Sequence, residues 1–345
     1  MARIIGAEPL YDYEAETKVY VPGEREPRIV IIGGGHGQSN ALRGLKQLTR
    51  HLTGIVAVSD DGGGSGVIRE DLGILPPGDI RNCILALSNT EPILEKLLDY
   101  RFQSGSLEGQ SFGNLFLAAM TAISGSFDEA VMRMCEVLSV SGKVLPVTTE
   151  NVFLEATFEN GEKTLGESQI FLSKKLHGCR IQEIRMIPEH PKALHASVME
   201  ILNADIVLIG PGSLYTSVIP NFLVDGITEA LAETKALRIF VMNVMTQEGE
   251  TEGYTGYDHI RAFLDHAAPG VIDICLANNQ QVEGRVLEAY RKEDSEPIDL
   301  CRKKIEELGI RVVERPLLKE AIFARHDPEK LAEAIREIYT HHRKT

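Results

Sequence analysis

The sequence predicts a doubly wound α/β fold, in which a mainly parallel, Rossmann-like sheet carries a small antiparallel β insertion. Short apolar runs such as RIVII (residues 28–32) and GIVAV (residues 54–58) end in loops, as buried parallel strands do. Between them, Leu42, Leu45 and Leu48 recur at helical spacing. Strand, helix and strand within this length form a βαβ unit, which requires a right-handed crossover and a parallel sheet.

Four helices are predicted after the second strand. The turn PPG is followed by a helix that ends at Leu87, with Asp79 placed to cap its first turn. Residues 91–102 carry leucine and isoleucine on one helical face. Residues 111–123 are apolar nearly all round, which predicts a buried helix. The segment FDEAVMRMCEVL, residues 127–138, gives the fourth helix.

An antiparallel insertion is predicted at about residues 143–187. Apolar and polar residues alternate there, and Asn160 with Gly161 forms the NG pair typical of a hairpin turn. We expect the insertion to interrupt a single domain that spans residues 28–340. Residues 1–27 have no clear periodicity and are interpreted as an N-terminal arm.

The doubly wound pattern resumes in the second half of the chain. Residues 204–217 and 238–251 each begin as an apolar strand and run into a polar loop, and residues 271–277 form another strand. After a late strand, RVVERPLL, a helix over residues 327–339 closes the chain. Asp327 is its predicted N-cap, with a proline in the first turn.

Composition and charge restrict the classes of function. The chain has 345 residues, of which 43% are hydrophobic and 25% charged, as in proteins with a large core. The formal net charge of -14 argues against nucleic acid and against an anionic membrane surface, since both attract basic patches. A small anionic ligand is compatible, because backbone N–H groups and a few arginines can bind it locally.

Cysteine usage and hydropathy predict a cytoplasmic protein without membrane insertion. The five cysteines are scattered and show no CxxC spacing, so neither disulfides nor a zinc cluster is expected. No stretch has the length and apolarity of a membrane span, and the first residues lack the apolar core of a signal peptide.

Two glycine-rich turns, GGGHGQS and GPGSLYTS, follow predicted strands, at the sheet edge where ligands of doubly wound folds bind. Glycine lets the backbone approach a phosphate closely, and the N-terminus of the following helix adds partial positive charge. The alternatives are a tight strand-to-helix turn and plain N-capping by serine. The candidate ligand-binding residues in these turns are Gly33, Gly34, Gly35, His36, Gly37, Gly210, Gly212 and Ser213.

The stretch SDDGGGSG places two carboxylates beside three glycines, just after the second strand. Asp60 and Asp61 occupy the usual position of a carboxylate that accepts hydrogen bonds from a ribose. Alternatively, the pair coordinates a divalent cation such as Mg²⁺ through oxygen. Gly62 would supply an N–H group next to them. A solvated acidic turn is the third interpretation.

Two weaker candidates complete the pattern. The loop at residues 243–255 is polar and contains glycine, as lids and binding loops do, although a plain surface loop fits equally well. Asn82 lies near the start of a predicted helix, where polar residues are also common without a ligand. The sequence contains no H-E-x-x-H, no G-x-S-x-G, no P-loop lysine and no full G-x-G-x-x-G.

Six segments, in order along the chain, resemble the signatures of the CofD-like superfamily: GGGHGQSNALRGLK, VAVSDDGGGSGVIR, GILPPGDIRNCILALS, GQSFGNLFLAAMT, ADIVLIGPGSLYTSVIPNFLV and NVMTQEGETEGYT. Within the superfamily, the chain is most similar to the bacterial gluconeogenesis factor branch. The resemblance extends from about residue 27 to the C-terminal helix, and it adds Gly113 and Asn114 to the candidate ligand-binding residues.

The resemblance implies a cytoplasmic protein needed for cell shape and for growth on gluconeogenic carbon sources. It also implies a UDP-sugar ligand, with UDP-N-acetylglucosamine the best candidate. Positions tied to nucleotide-sugar binding in that branch correspond to Tyr290 and Arg325 in this sequence. A tyrosine ring can stack on uracil, and an arginine fork can pair with a diphosphate.

The sister branch of the superfamily is a phospholactate transferase that uses a metal and a guanylylated donor. Its SDDGGGSG loop is similar to the one here, so the resemblance also allows a metal at Asp60 and Asp61. This sequence departs from many relatives at His36, where they carry Thr, and at Gly64, where they carry Ser.

Three hypotheses follow for the function. The first is a UDP-sugar-binding regulator without turnover, for which the α/β pattern permits a homodimer. The second is a CofD-like transferase that moves a phospholactyl-type group from a nucleotide-activated donor. The third is an NAD-type oxidoreductase, which is disfavoured because the dinucleotide fingerprint is incomplete.

Overall fold

The strands of the protein form two sheets. A computed structural model describes residues 25–319 and 324–344, so the predicted N-terminal arm lies outside the described residues except for residues 25–27. The strands are β1 (Ile29–Gly33), β2 (Leu52–Val56), β3 (Lys143–Pro146), β4 (Phe153–Phe158), β5 (Lys163–Leu165), β6 (Ile181–Ile187), β7 (Ile206–Ile209), β8 (Leu237–Val241), β9 (Ile274–Asn278) and β10 (Arg311–Arg315).

Helices flank the larger sheet. A π-helical segment, Leu214–Val218, leads directly into the ninth α-helix. The α-helices are α1 (Gly35–Leu45), α2 (Gly63–Leu72), α3 (Gly78–Leu87), α4 (Pro92–Asp99), α5 (Phe112–Ser124), α6 (Phe127–Val137), α7 (Glu167–His177), α8 (His195–Leu202), α9 (Ile219–Phe222), α10 (Ile227–Glu233), α11 (Gly256–His266), α12 (Gly284–Arg291), α13 (Arg302–Glu307) and α14 (Pro328–His342).

Within the described residues, seven parallel strands make up the larger sheet, in the order β10–β9–β8–β7–β1–β2–β3. Every residue of β1, β2 and β7 is buried, as expected when helices cover both faces of a parallel sheet. The predicted doubly wound α/β fold is therefore confirmed. The second strand begins and ends two residues earlier than its apolar run predicts.

The order of the strands identifies where a ligand should bind. From β1, an interior strand, the chain proceeds to β2 and β3 on one side, then returns to β7 on the other side of β1. In such sheets, the loops at the carboxyl ends of the two strands flanking this reversal diverge and leave a crevice between them. The crevice here lies between the loops that follow β1 and β7, which are the two predicted glycine-rich turns.

The antiparallel insertion is confirmed, but it is shorter than predicted. It consists of the sheet β5–β4–β6 together with α7, and the β4–β5 hairpin turns at Asn160 and Gly161, whose φ is +85°. Residues 143–146 do not belong to it. They form β3, which pairs in parallel with β2 at the edge of the main sheet. Alternation alone did not separate this edge strand from the hairpin that follows it.

Two of the predicted helices allow a direct check. Asp327 caps α14 as predicted, because its carboxylate accepts hydrogen bonds from the N–H groups of Glu329 and Lys330. The predicted helix over residues 111–123 is confirmed as α5, but the prediction that this helix is buried was wrong. One face of α5 packs on α2, α4 and α6, but Ile123 on the other face is 73% exposed. Apolar composition therefore overstated the burial of α5.

None of the individual helices described is long and apolar enough to cross a membrane. The helices α5 and α6 reach the necessary length and composition only when taken together, and they meet at an angle of 117°.

Candidate functional site

A cleft of about 600 Å³ opens at the carboxyl edge of the main sheet. A volume of this size lies within the range of small-molecule sites. Loops that leave four neighbouring parallel strands line it, and side chains of α7, of α12 and of the segment before α14 complete its walls. The strand-end loops line the cleft with residues 34–40 after β1, 57–60 after β2, 211–217 after β7 and 243–248 after β8.

The first glycine turn brings the backbone of α1 against the second turn. Gly35 has a φ of +65°, in the left-handed region that favours glycine. A Cβ at Gly37 would lie 2.6 Å from the carbonyl oxygen of Pro211, so a side chain has no room there. No acidic side chain lies in the first turn of α1 itself, and the amides of a helix N-terminus attract anions. Gly34, Gly35, His36 and Gly37 all line the cleft.

The turn after β7 is fastened to the loop after β8. Asn243 donates a hydrogen bond of 2.8 Å to the carbonyl of Gly212 and accepts one of 3.3 Å from its N–H. The Ser213 hydroxyl donates to Gln247 Oε1 at 2.7 Å. Gly212 and Ser213 therefore line the cleft in a fixed arrangement, and Ser213 does not cap the following helix. Of the loop predicted at residues 243–255, residues 243–248 line the cleft.

Asp60 and Asp61 point to different places. Asp60 lines the cleft and accepts a 2.9 Å hydrogen bond from the N–H of Gly62. Asp61 does not line the cleft. Its Oδ1 accepts a 2.9 Å hydrogen bond from the N–H of Ser168, in the first turn of α7. The carboxylate of Asp61 thus serves as a cap for the insertion helix.

The prediction that Asp79 caps α3 was wrong. Helix α3 begins at Gly78, so its N-cap residue is Pro77 and Asp79 lies inside the first turn. The Asp79 carboxylate instead accepts a 2.7 Å hydrogen bond from the N–H of Gly35, in the first turn of α1. Burial, followed by the nearby charge of Asp60, raises the pKa of Asp79 to about 6. Asp79 therefore joins α3 to the glycine turn inside the cleft.

One end of the cleft is acidic. Glu167, on α7, lines the cleft, and a Cβ at Gly62 would lie 3.4 Å from an oxygen of Asp60 and 3.9 Å from one of Glu167, so the two carboxyl groups are neighbours. Burial raises the pKa of Asp60, while burial and then the charge of Asp60 raise the pKa of Glu167 to about 8. The two carboxyl groups therefore compete for one proton, and at neutral pH at least one of them is charged.

The donor set at this end does not amount to a complete protein metal site. Across residues 25–319 and 324–344, no group of three or more His, Cys, Asp or Glu side chains is arranged to hold a metal ion. Asp61 accepts the N–H of Ser168 and does not line the cleft, so of the predicted pair only Asp60 faces the cleft. Mg²⁺ commonly uses only one or two carboxylates and takes its other ligands from water and phosphate. Asp60 with Glu167 fits that second pattern.

The opposite end carries Arg325 and Tyr290. Both residues line the cleft. The Tyr290 ring packs against a small apolar cluster that includes Met245 and Ala324, which also line the cleft. Partial desolvation, then the positive charges of Arg325 and Arg81, lower the pKa of His36. Arg325 is therefore close enough to act on the first turn of α1, between the two ends.

His326 and Asn40 extend this end. Burial lowers the pKa of His326 to about 4, so its imidazole is neutral at physiological pH. The Asn40 side chain donates a 2.6 Å hydrogen bond to the carbonyl of His326 and lines the cleft beside it. Helix α1 thus contacts Asp79 at its start and the Arg325–His326 segment one turn later.

Several predicted site residues lie outside the cleft lining, and their contacts are structural. Asn82 accepts a hydrogen bond from Arg81 at 2.6 Å. A Cβ at Gly113 would meet the carbonyl of Leu98 at 2.5 Å, so this glycine permits close packing of α5. The predicted residues that do not line the cleft are Gly33, Asp61, Gly62, Asn82, Gly113, Asn114 and Gly210.

Among the cleft-lining residues that the sequence reasoning missed are Asn40, Glu167, Phe171 and His326. Glu167 and Phe171 belong to α7, in an insertion without any motif, and only tertiary docking brings them to the strand ends. Asn40 and His326 were detectable, because Asn40 follows the glycine turn directly and His326 follows Arg325.

Comparisons with known proteins agree with this architecture. Residues 29–318 match the family described as 2-phospho-L-lactate transferase CofD. A Clostridium acetobutylicum protein is 50% identical over 323 residues, which is 93% of this chain and 71% of the relative. The gluconeogenesis factor of Bacillus subtilis is 43% identical over 311 residues, 89% of this chain and 96% of that protein.

A crystal structure of a Bacillus halodurans protein superposes with a TM-score of 0.87 at 42% sequence identity, covering 90% of this chain and all of that one. The gluconeogenesis factor of Halalkalibacterium halodurans is 42% identical over 315 residues, 91% of this chain and 97% of the relative. The chain therefore belongs to the CofD-like family, among relatives that bear the name gluconeogenesis factor.

Proposed function

We propose that the chain is a cytoplasmic regulator that binds a UDP-sugar in the cleft, with UDP-N-acetylglucosamine its preferred ligand, and that it does not turn the ligand over. The observation that carries the proposal is the convergence of two glycine turns, Arg325 and Tyr290 on one cleft of about 600 Å³. The names of the relatives support a role in growth on gluconeogenic carbon sources, and we propose a role in cell shape with it.

The side chains that line the cleft are suited to binding a nucleoside diphosphate. Tyr290 and its apolar neighbours Met245 and Ala324 offer a surface on which a base can stack. The first turn of α1 and the guanidinium of Arg325 supply donors and positive charge for a diphosphate. These local groups would bind an anion in spite of a net charge of -14 over the whole chain.

Isothermal titration calorimetry with UDP-N-acetylglucosamine, UDP and free N-acetylglucosamine tests the proposal. We expect the two UDP compounds to bind and the free sugar to bind far more weakly, because the diphosphate meets the charged groups. Absence of binding at millimolar UDP-N-acetylglucosamine would rule the proposal out. A deletion strain that grows normally on gluconeogenic carbon sources would contradict the physiological part.

A second candidate is a CofD-like transferase that moves a phospholactyl-type group from a nucleotide-activated donor. The family match favours it, and so does the carboxyl pair of Asp60 and Glu167, which could hold Mg²⁺ together with a donor phosphate. Incubation with a guanylylated phospho-acid donor and Mg²⁺, followed by detection of the released nucleotide, tests this activity. No Mg²⁺-dependent release with any donor would exclude it.

A further inference from the structure

The acidic end of the cleft contains a buried hydroxyl in addition to its carboxyl groups. Ser59 lines the cleft next to Asp60 and is only 1% exposed. Its Oγ has no hydrogen-bond partner among the described residues. A buried polar atom without a partner is costly, and a ligand group that bonds to it would relieve that cost. Ser59 therefore indicates that a polar part of a ligand reaches this end.

The groups along the cleft follow one order. Asp60 and Glu167 are neighbours at one end, and Asp79, whose pKa the charge of Asp60 helps to raise, accepts a hydrogen bond from the N–H of Gly35 at the start of α1. Tyr290 packs with Met245, in the loop after β8, whereas Asp60 follows β2, and the strands β7 and β1 lie between these two. The charge of Arg325 acts on His36, in the first turn of α1. A UDP-sugar whose base stacks on Tyr290 and whose diphosphate meets Arg325 therefore places its sugar at the acidic end.

We propose, on the basis of the nucleotide-sugar binding proposed above, that Asp60 and Glu167 act as a pair that selects UDP-sugars with an uncharged sugar and rejects those with a sugar acid. Sugar hydroxyls are donors that carboxylate oxygens accept, and a hydroxyl can also satisfy the Ser59 hydroxyl. A carboxylate on the sugar would instead lie beside the negative charge that the pair retains, which weakens binding. Glu167, on the insertion, is thereby a specificity-determining residue.

UDP-glucose and UDP-glucuronate form the matched pair of ligands, because they differ only in the group at C6 of the sugar. Calorimetry in EDTA compares these two ligands and UDP on the wild-type protein. We expect UDP-glucuronate to bind at least roughly tenfold more weakly than UDP-glucose, a ratio equivalent to about 1.4 kcal/mol. Equal affinities would overturn the inference.

The test variant is the double substitution Asp60→Asn with Glu167→Gln, because either carboxyl group alone can retain the negative charge of the pair. We expect the ratio of the two affinities to fall toward one in this variant, while UDP still binds. The control is Glu293→Gln, which removes a carboxylate that lines the cleft at the Tyr290 end. We expect Glu293→Gln to leave the ratio unchanged, since both ligands share the UDP moiety.

The outcomes separate this inference from the proposed function. If UDP binds and the wild-type protein does not discriminate, the selectivity inference alone fails. If neither UDP nor either UDP-sugar binds, the proposed function fails and the inference with it. A double variant that binds UDP and keeps the wild-type ratio overturns the inference.

Discussion

The carboxylate of Asp79 accepts a 2.7 Å hydrogen bond from the backbone N–H of Gly35. A side chain of α3 thus occupies an amide at the start of α1, where a phosphate would be expected after a glycine-rich turn. A phosphate and this carboxylate repel each other at close range. The diphosphate of a ligand should therefore lie farther along the first turn of α1, toward His36 and Arg325.

We predict that Asp79 makes the protein less stable as the pH rises from about 4 to about 6. The pKa of Asp79 rises from its ordinary value of 3.8 to about 6 in the folded protein, mainly through burial. The folded state thus keeps the proton to a higher pH than the unfolded chain, and the free energy of unfolding falls across that interval. The loss amounts to ~3 kcal/mol and is complete above about pH 7.

The variant Asp79→Asn isolates this effect, because the amide oxygen can still accept from Gly35 and the side chain does not titrate. Urea unfolding of both proteins at about pH 4 and about pH 7 gives the comparison. We expect the stability of the variant relative to wild type to improve by ~3 kcal/mol between the two pH values. A difference that does not change with pH would show that Asp79 ionises normally.

We predict that Gly37→Ala disrupts the contact between the two glycine turns. The new Cβ would lie 2.6 Å from the carbonyl oxygen of Pro211, so the turns must separate. Overpacking of this kind costs about 1–3 kcal/mol, and the affinity for UDP-N-acetylglucosamine should fall as the cleft changes shape. Thermal unfolding and calorimetry measure the two effects.

Gly33→Ala is the matched control for Gly37→Ala. Its Cβ would lie at ordinary contact distances, with the nearest atoms at 3.8 Å. We expect this variant to keep nearly the wild-type stability and affinity. If Gly37→Ala behaves in the same way as Gly33→Ala, the close approach of the turns is unimportant for the cleft.

The parts of the site that depend on local chain geometry could be predicted from the sequence. Apolar strands ending in glycine turns placed Gly34 to Gly37 and Gly212 at the sheet edge, and the strand order brings them together. In contrast, Glu167 reaches the cleft only because α7 docks across the strand ends. The residues around Glu167 in the sequence contain no motif that indicates this docking.

Asp79 and Asp61 were misinterpreted for the same reason, because their hydrogen-bond partners lie far away in the sequence. Asp79 has the residue type and position of an N-cap, but the N–H that it binds belongs to Gly35, forty-four residues earlier in the chain. Asp61 was interpreted as a partner of Asp60 in ligand or metal binding because the two residues are adjacent. Its carboxylate instead accepts a hydrogen bond from the N–H of Ser168. The sequence shows where a carboxylate can accept a hydrogen bond, but only the tertiary structure shows which N–H group donates it.

We predict that Arg325→Ala weakens the binding of UDP and of UDP-N-acetylglucosamine to the same extent. A hydrogen bond between charged groups contributes about 1.5–3 kcal/mol, so both affinities should fall roughly 10- to 100-fold. Arg302→Ala serves as the control, because Arg302 lies on α13 and forms an ion pair with Glu306. Calorimetry that finds unchanged affinity for Arg325→Ala would mean that the diphosphate binds elsewhere.

The last prediction separates a capping role of Asp61 from a metal-binding role. Its Oδ1 accepts a hydrogen bond from the N–H of Ser168 in the first turn of α7, where the N-cap residue, Gly166, has no side chain to do so. Asp61→Ala should therefore lower the free energy of unfolding by about 1 kcal/mol, the usual cost of losing a helix cap.

Asp61→Asn keeps an acceptor oxygen and should retain nearly the wild-type stability, because asparagine caps helices as well as aspartate does. A ligand of Mg²⁺ would behave differently, since both substitutions remove the negative charge. Urea unfolding with and without Mg²⁺ distinguishes the two roles. If Mg²⁺ stabilises the wild-type protein and both variants lose that stabilisation equally, Asp61 binds the metal, and the insertion helix is held in place by its other contacts.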